Sequence, residues 1–118
     1  MTAETPTGDG GLVGRFLARL TGRTRTNYAG DLRLWRAWLD GRGVALLAAS
    51  RQDVEEWVAT RRTGGIGART ACTNLSHLHG FYRWAMREGL TVVDPTALVD
   101  RPAYGRTARP WLGPAATA

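Results

Sequence analysis

The side chains best suited to binding chemistry lie on the polar faces of two predicted helices. Residues 67–89 place apolar side chains at helical spacing, and no acidic residue interrupts the opposite face. That face carries Arg69, Thr73, Ser76, Gly80, Arg83 and Arg87. An earlier helix repeats the pattern with Thr26, Gly30, Arg33 and Ala37. Because arginine donates paired hydrogen bonds to phosphates and guanine edges, both faces favour an anionic partner such as nucleic acid.

The composition favours the same class of partner. The 118 residues carry a net charge of +6, and all 16 basic residues are arginine. Codon bias in a GC-rich genome explains much of the choice of arginine over lysine, but the sign of the net charge still favours an anion. The single cysteine, Cys72, cannot form an internal disulfide, and neither a bilayer-spanning run nor a signal peptide is visible. The sequence therefore predicts a cytoplasmic protein of one domain.

The sequence shows no pattern typical of a metal site or a catalytic site. His77 and His79 are two residues apart, so they do not share a helix face and make a poor metal pair. No nucleophile, base and orienting group cluster in the pattern. We therefore expect no metal, no cofactor and no catalytic residue in this chain.

Boundary signals divide the first half of the chain into two helices. A Gly-rich leader is expected to be disordered through residue 11, and a short helix follows at about 12–20, ended by Gly22. Thr24 is the predicted N-cap of the second helix, which Gly41 and Gly43 end. Its buried stripe is predicted at Tyr28, Leu32, Trp35 and Leu39.

The second half predicts a capped third helix and a long fourth helix. Ser50 and Asp53 have the spacing of a capping box, and Glu55 and Glu56 make the outer face of the third helix acidic. The fourth helix has a predicted stripe of Ala71, Leu75, Leu78, Tyr82 and Ala85, widened by Phe81 and Met86, with Trp84 partly exposed and Gly89 in the left-handed position after it. Asp94-Pro95 predicts a further short helix to about Val99.

In order and spacing, these motifs resemble the N-terminal core-binding domain of the tyrosine recombinases, a family that includes phage-type integrases and Xer-like enzymes. The segment from Thr24 to Leu39 is similar to the family's T-x-x-x-Y-x-x-D-L-x-x-F-x-x-W-L opening. Residues 69–90 resemble its long helix, and Asp94-Pro95 stands where the family usually has Asn-Pro.

The resemblance implies an all-α, SAM-like bundle of four to five helices, arranged as two crossed helical hairpins, over residues 12–102. Residues 1–11 are then a disordered leader, and residues 103–118 an interdomain linker or tail. In this family a separate catalytic domain carries the tyrosine nucleophile with its arginine, lysine and histidine partners. None of these can be mapped onto this chain, so we expect the chain itself not to be an enzyme.

The resemblance also implies that the second and fourth helices face the major groove of double-stranded DNA. Side chains at the two helix N-termini are expected to contact phosphates: Thr24, Arg25, Thr26, Arg69 and Thr70. Side chains further along are predicted to reach base edges: Arg33, Thr73, Asn74 and His77. If four to six arginines contact phosphates, log K against log salt should fall with a slope of roughly −4 to −5.

A protein-interaction role stays open beside DNA binding. SAM-like bundles bind proteins, and recombinases contact neighbouring protomers through this domain. The acidic face at Glu55 and Glu56 would allow a head-to-tail contact with a basic face of the next protomer. Charge reversal at Arg33 and Arg69 is expected to abolish DNA binding and to leave such self-association intact.

Overall fold

The computed structural model describes residues 8–103, which form four α-helices and one 3-10 turn, with no β-strand among them. The helices are α1 (Asp9–Leu17), α2 (Gly22–Arg42), α3 (Arg51–Thr63) and α4 (Ala68–Arg87), and the 3-10 turn is Leu46–Ala48. α2 packs on each of the other three helices, and α4 packs on α2 and α3. The predicted all-α bundle of four to five helices is confirmed within these residues. No helix in this part of the chain is long and apolar enough to cross a bilayer.

The core lies where the apolar faces of α2 and α4 meet. The predicted stripe of α4 is confirmed, since all five of its residues are buried: Ala71, Leu75, Leu78, Tyr82 and Ala85. Two predictions at the edge of this stripe are wrong. Met86 is 41% exposed, whereas Trp84 is buried. Trp84 is covered because α1 packs the ring of Phe16 against it, with 5.5 Å between the ring centroids.

A chain of largely buried hydrogen bonds ties the 3-10 turn to α1, α2 and α4. The indole Nε1 of Trp35 donates to the Tyr82 hydroxyl at 3.0 Å, and that hydroxyl donates to the Leu46 carbonyl at 2.7 Å. The Leu46 amide donates to the carboxylate of Asp9 on α1 at 3.1 Å. Burial raises the pKa of Tyr82, which keeps its hydroxyl protonated and able to donate. Both backbone groups of the buried Leu46 are therefore satisfied by side chains.

Several helix ends follow the sequence signals. The Ser50 hydroxyl accepts from the Asp53 amide at 3.1 Å, and the Asp53 carboxylate accepts from the Ser50 amide at 2.9 Å, which completes the predicted capping box of α3. Gly43 and Gly89 follow α2 and α4 with φ of +73° and +76°. These are left-handed conformations that glycine adopts without strain, so the predicted stops at Gly43 and Gly89 are confirmed, whereas Gly41 lies inside α2 and does not end it.

The beginnings of α1 and α2 differ from the prediction. α1 begins at Asp9, so the predicted disorder is wrong for residues 9–11, and residues 1–7 of the predicted leader lie outside the described residues. The cause is tertiary, because the Asp9 carboxylate is held by the distant Leu46 amide. α1 ends at Leu17, and Gly22 is the first residue of α2 rather than the stop of α1. The N-cap of α2 is consequently Thr21, not Thr24.

The chain after α4 forms turns instead of the helix predicted at 94–99. We call residues 90–103 the exit segment; the rest of the predicted linker, residues 104–118, lies outside the described residues. The Asp94 carboxylate accepts from the Thr96 amide at 2.8 Å and lies 2.6 Å from the Nδ1 of His79 on α4. Arg101 then donates to the Cys72 carbonyl, further back on the same helix. These contacts along α4 hold the exit segment against that helix in place of continued helical hydrogen bonding.

Candidate nucleic-acid interface

One side of α4 combines positive charge with small polar side chains. The helix contains no aspartate or glutamate over its 20 residues. Its exposed polar side chains, at spacings that place them on one side of a helix, are Arg69, Thr73, Ser76, Arg83 and Arg87. We call these five residues the α4 surface. A surface of this kind can approach a phosphate backbone closely without repelling it.

Gly80 was predicted on the same face, but it serves the packing of α4 on α2. A Cβ atom at Gly80 would lie 3.0 Å from the hydroxyl oxygen of Tyr28 and 3.1 Å from its ring. The absence of a side chain therefore lets the Tyr28 ring lie directly on the helix. This close approach fixes where α2 crosses α4.

A polar network joins α2, α3 and α4 beside this crossing. The Asp31 carboxylate of α2 lies 2.5 Å from the Nδ1 of His77, and the His77 ring lies 4.2 Å from the ring of Tyr28. The Nε of Arg61 on α3 donates to the Oδ1 of Asn74 at 3.0 Å. Burial opposes ionisation of Asp31, but hydrogen bonds from His77 and Asn74 and the charges of His77 and Arg61 together lower its pKa.

Two predicted base contacts belong to this network instead. Asn74 is only 3% exposed, so the prediction that it reaches a base edge is wrong. It is buried because α3 supplies the guanidinium that its amide oxygen accepts from. The His77 side chain is 16% exposed and is held by Asp31 and Tyr28, so it is placed for packing rather than for reaching into a groove.

Arg33 and Thr26 lie on the wrong side of α2 to share a surface with α4. Arg33 follows Asp31 by two residues, which turns it about 200° around the helix axis from the contact with α4. Thr26 precedes Tyr28 by two residues and is turned away in the same manner. The two helix faces predicted as one binding surface therefore point in different directions, because α4 packs against one flank of α2 rather than beside its polar face.

The remaining predicted residues keep an exposed position near a helix N-terminus. Arg25 also has a structural task, since its Nε donates to the carbonyls of Leu17 and Leu20 at 3.1 and 2.9 Å and so caps the end of α1. Thr24 and Thr70 are exposed in the first turns of α2 and α4. Neither of these helices has a side-chain cap at its N-terminus, whereas α3 has its own capping box.

The first turn of α4 contains backbone amides that the helix itself does not satisfy. The first helical hydrogen bond runs from the Ala71 amide to the Gly67 carbonyl, so the amides of residues 68–70 have no acceptor within the helix. This is the position that the sequence predicted for a phosphate contact. The charge of Arg69 and the helix dipole act in the same direction there.

Two exposed residues near α4 were not predicted as site residues from the sequence. Asn27 precedes Asp31 by four residues, so it lies on the flank of α2 that faces α4. Its spacing was a usable signal. Arg101 belongs to the exit segment, and its Nη1 donates to the Cys72 carbonyl at 2.9 Å and to the Ser76 hydroxyl at 3.1 Å. No local pattern marks Arg101, because it reaches the α4 surface through a tertiary contact.

The acidic face proposed for a head-to-tail protein contact is already paired within the chain. Glu56 lies 2.7 Å from the Nη2 of Arg42, and Glu55 lies 3.7 Å from the Nε of Arg51. The guanidinium of Arg42 also lies over the ring of Trp38 at 4.4 Å. This face therefore offers a neighbouring protomer little unpaired negative charge.

The comparisons with known proteins agree with this fold. The family model described as the phage integrase N-terminal SAM-like domain matches residues 15–89. Tyrosine recombinase XerD of Pseudomonas aeruginosa is 41% identical over 101 residues, which cover 80% of this chain and 34% of that protein. Tyrosine recombinase XerC of Mycobacterium tuberculosis is 36% identical over 95 residues, covering 78% and 32%. No solved structure gives a significant match.

The position of the match defines which part of these proteins the chain resembles. The chain spans about a third of the length of the curated relatives it matches, among them XerD of Pseudomonas putida at 38% identity over 87 residues. The matched family is defined by the N-terminal domain, in keeping with the helical bundle described above. The chain therefore belongs to the phage integrase N-terminal SAM-like domain family, the N-terminal domain of the tyrosine recombinases.

Proposed function

We propose that this domain binds one side of a DNA duplex through the α4 surface and takes part in site-specific recombination. The observation that carries the proposal concerns α4. This helix of 20 residues contains no acidic side chain, and it exposes three arginines along one side. The curated relatives are tyrosine recombinases, and recombination acts on DNA. The net charge of +6 would add a long-range attraction to the duplex.

The two helix N-termini are close enough together to lie within one turn of DNA. Gly22 and Ala68 each lie nine residues before the contact between Asp31 and His77, which is about 14 Å along each helix. The two N-termini are then no more than about 30 Å apart, less than the roughly 34 Å of one turn of B-DNA. Both could contact phosphates while the α4 surface lies against the groove between them.

The chemical roles follow from the side chains present. The arginines of the α4 surface would contact phosphates, and these contacts give position and affinity rather than sequence preference. Thr73 is short enough to let the helix backbone approach the DNA, whereas the Ser76 hydroxyl accepts a hydrogen bond from Arg101. Asn27 carries an amide that can both donate to and accept from an adenine edge, so it is the strongest candidate for a base contact.

The proposal is tested by fluorescence anisotropy of a labelled duplex titrated with the full chain at several salt concentrations. Arg69→Glu with Arg83→Glu should abolish salt-sensitive binding. The matched control, Arg33→Glu with Arg51→Glu, changes the net charge equally but lies outside the α4 surface, and it should retain most of the affinity. Absence of wild-type binding at low salt would overturn the proposal. Equal losses in the two double variants would exclude the α4 surface as the binding site.

A further inference from the structure

The exit segment places the guanidinium of Arg101 against the α4 surface, where it adds a positive charge. Arg101 is exposed, yet its Nη1 is held by two acceptors on α4, the Cys72 carbonyl at 2.9 Å and the Ser76 hydroxyl at 3.1 Å. The backbone beside it is fixed as well, because the Cys72 thiol donates to the Pro102 carbonyl at 3.2 Å. The guanidinium therefore has a defined position on α4.

Both hydrogen bonds that hold Arg101 on α4 use a single nitrogen of its guanidinium. Nη1 carries two hydrogens, and the Cys72 carbonyl and the Ser76 hydroxyl provide one acceptor for each. Among residues 8–103, Nε and Nη2 of Arg101 have no hydrogen-bond acceptor. These two nitrogens form the edge that pairs with two oxygens of a phosphate or carboxylate. The anchored side chain thus presents a fixed pair of donors to an external anion.

The surroundings favour a phosphodiester as that anion. The anchor lies over residues 72–76 of α4, between Arg69 and Arg83 on the same side of the helix. Asp100, the nearest residue in sequence with negative charge, is exposed, and no ion pair joins it to Arg101 within the described residues. The positive charge of this part of the α4 surface would attract an anion beside Arg101.

We infer that Arg101 is a preorganised contact for one phosphate of the DNA backbone, held in place by Ser76 and the Cys72 carbonyl. This inference rests on the proposed function and adds a residue that lies outside the helices. Because rotamer freedom is already restricted by the anchor, the phosphate contact costs less side-chain entropy than one made by a free surface arginine. The exit segment then forms one edge of the DNA-binding surface.

Three variants separate charge from positioning in the same anisotropy titration. Arg101→Gln removes the charge and should weaken binding roughly three- to tenfold, with the magnitude of the salt slope reduced by about one. Arg101→Lys keeps the charge but lacks the rigid fork, so it should weaken binding with the slope unchanged. Ser76→Ala should do the same, because it loosens the anchor without removing charge.

The matched control is Arg51→Gln, which removes one exposed arginine on α3 and should change the salt slope by much less than Arg101→Gln. Thermal unfolding of each variant distinguishes a lost contact from a lost fold, and Arg101→Lys and Ser76→Ala provide the test if Arg101→Gln does not fold. A wild-type slope in Arg101→Gln, while Arg69→Glu with Arg83→Glu abolishes binding, would overturn this inference alone. Absence of any wild-type binding would overturn the proposed function together with it.

Discussion

The carboxylate of Asp31 lies 2.5 Å from the Nδ1 nitrogen of His77, and this contact joins α2 to α4 across 46 residues of sequence. It lies next to the close approach of Gly80 to Tyr28, so one polar contact and one steric contact together fix where the helices cross. The crossing decides which flank of α2 lies beside the α4 surface. The proposed DNA-binding surface therefore depends on residues that are themselves largely covered.

The Asp31 contact predicts a pH dependence of stability. The folded state lowers the pKa of Asp31 below its ordinary 3.8, so its stabilising contribution is complete above about pH 5 and is lost as the pH falls through the folded-state pKa. Asp31→Asn should reduce the free energy of unfolding at pH 7 by about 1–3 kcal/mol. Urea unfolding should give a smaller difference between variant and wild type near pH 2.5 than at pH 7.

Asp40→Asn is the control for this experiment, because Asp40 is exposed and lies 4.0 Å from Arg36 in a surface pair. That substitution should change stability by less than about 0.5 kcal/mol at either pH. A constant difference between Asp31→Asn and wild type from pH 7 to pH 2.5 would contradict the assignment to an ionised carboxylate.

The Tyr82 hydroxyl is predicted to contribute strongly to stability. Tyr82→Phe removes the acceptor of the Trp35 indole and the donor to the Leu46 carbonyl, which leaves two buried polar groups unsatisfied. The free energy of unfolding should fall by about 2–4 kcal/mol in urea titrations. Tyr28→Phe is the matched control and should cost less than about 0.5 kcal/mol, since no hydrogen bond of the Tyr28 hydroxyl is seen within residues 8–103. Similar losses for both variants would argue against the buried hydrogen-bond chain.

Two glycines within helices should respond to alanine with opposite sign. Gly30→Ala should stabilise the domain by about 0.5–1 kcal/mol, because nothing lies within 4 Å of the new Cβ and alanine favours the helix. Gly80→Ala should destabilise it by about 1–2 kcal/mol, because the new Cβ meets the Tyr28 ring. That ring cannot retreat easily, since His77 and Phe16 lie on it. Thermal unfolding of both variants provides the measurement, and stabilisation by both would show that the two helices can separate without cost.

Asn74 should behave as a structural residue rather than as a DNA contact. Asn74→Ala leaves the Nε of Arg61 without its acceptor and should lower the free energy of unfolding by about 1–3 kcal/mol. Well below its unfolding temperature, the variant should keep the wild-type salt slope in DNA titrations. Thr73→Ala, one residue earlier and exposed, should change stability by less than about 0.5 kcal/mol. Unchanged stability together with lost sequence preference in Asn74→Ala would restore the original prediction of a base contact.

Local signals in the sequence predicted most of the helical elements. The stripe from Ala71 to Ala85, the Ser50–Asp53 capping box and the glycine stop at Gly43 are all confirmed. These features depend on residues within a few positions of one another, so a single sequence contains the necessary information. The start of α1 was misplaced because Asp9 is held by Leu46, a contact that no local rule anticipates.

The sequence by itself predicted the four helices that form, together with a fifth that does not, and it determined which side chains share a face on each helix, since the angle of about 100° per residue is a local property. Only the tertiary structure decided which of those faces are covered and which lie side by side. The packing of α3 buried Asn74, and the crossing of α2 with α4 turned Arg33 away from the α4 surface. The exit segment brought Arg101 next to Ser76. These outcomes depend on contacts between residues 13 to 46 positions apart. Contacts at such varied separations follow no periodic pattern, so the sequence alone does not predict them.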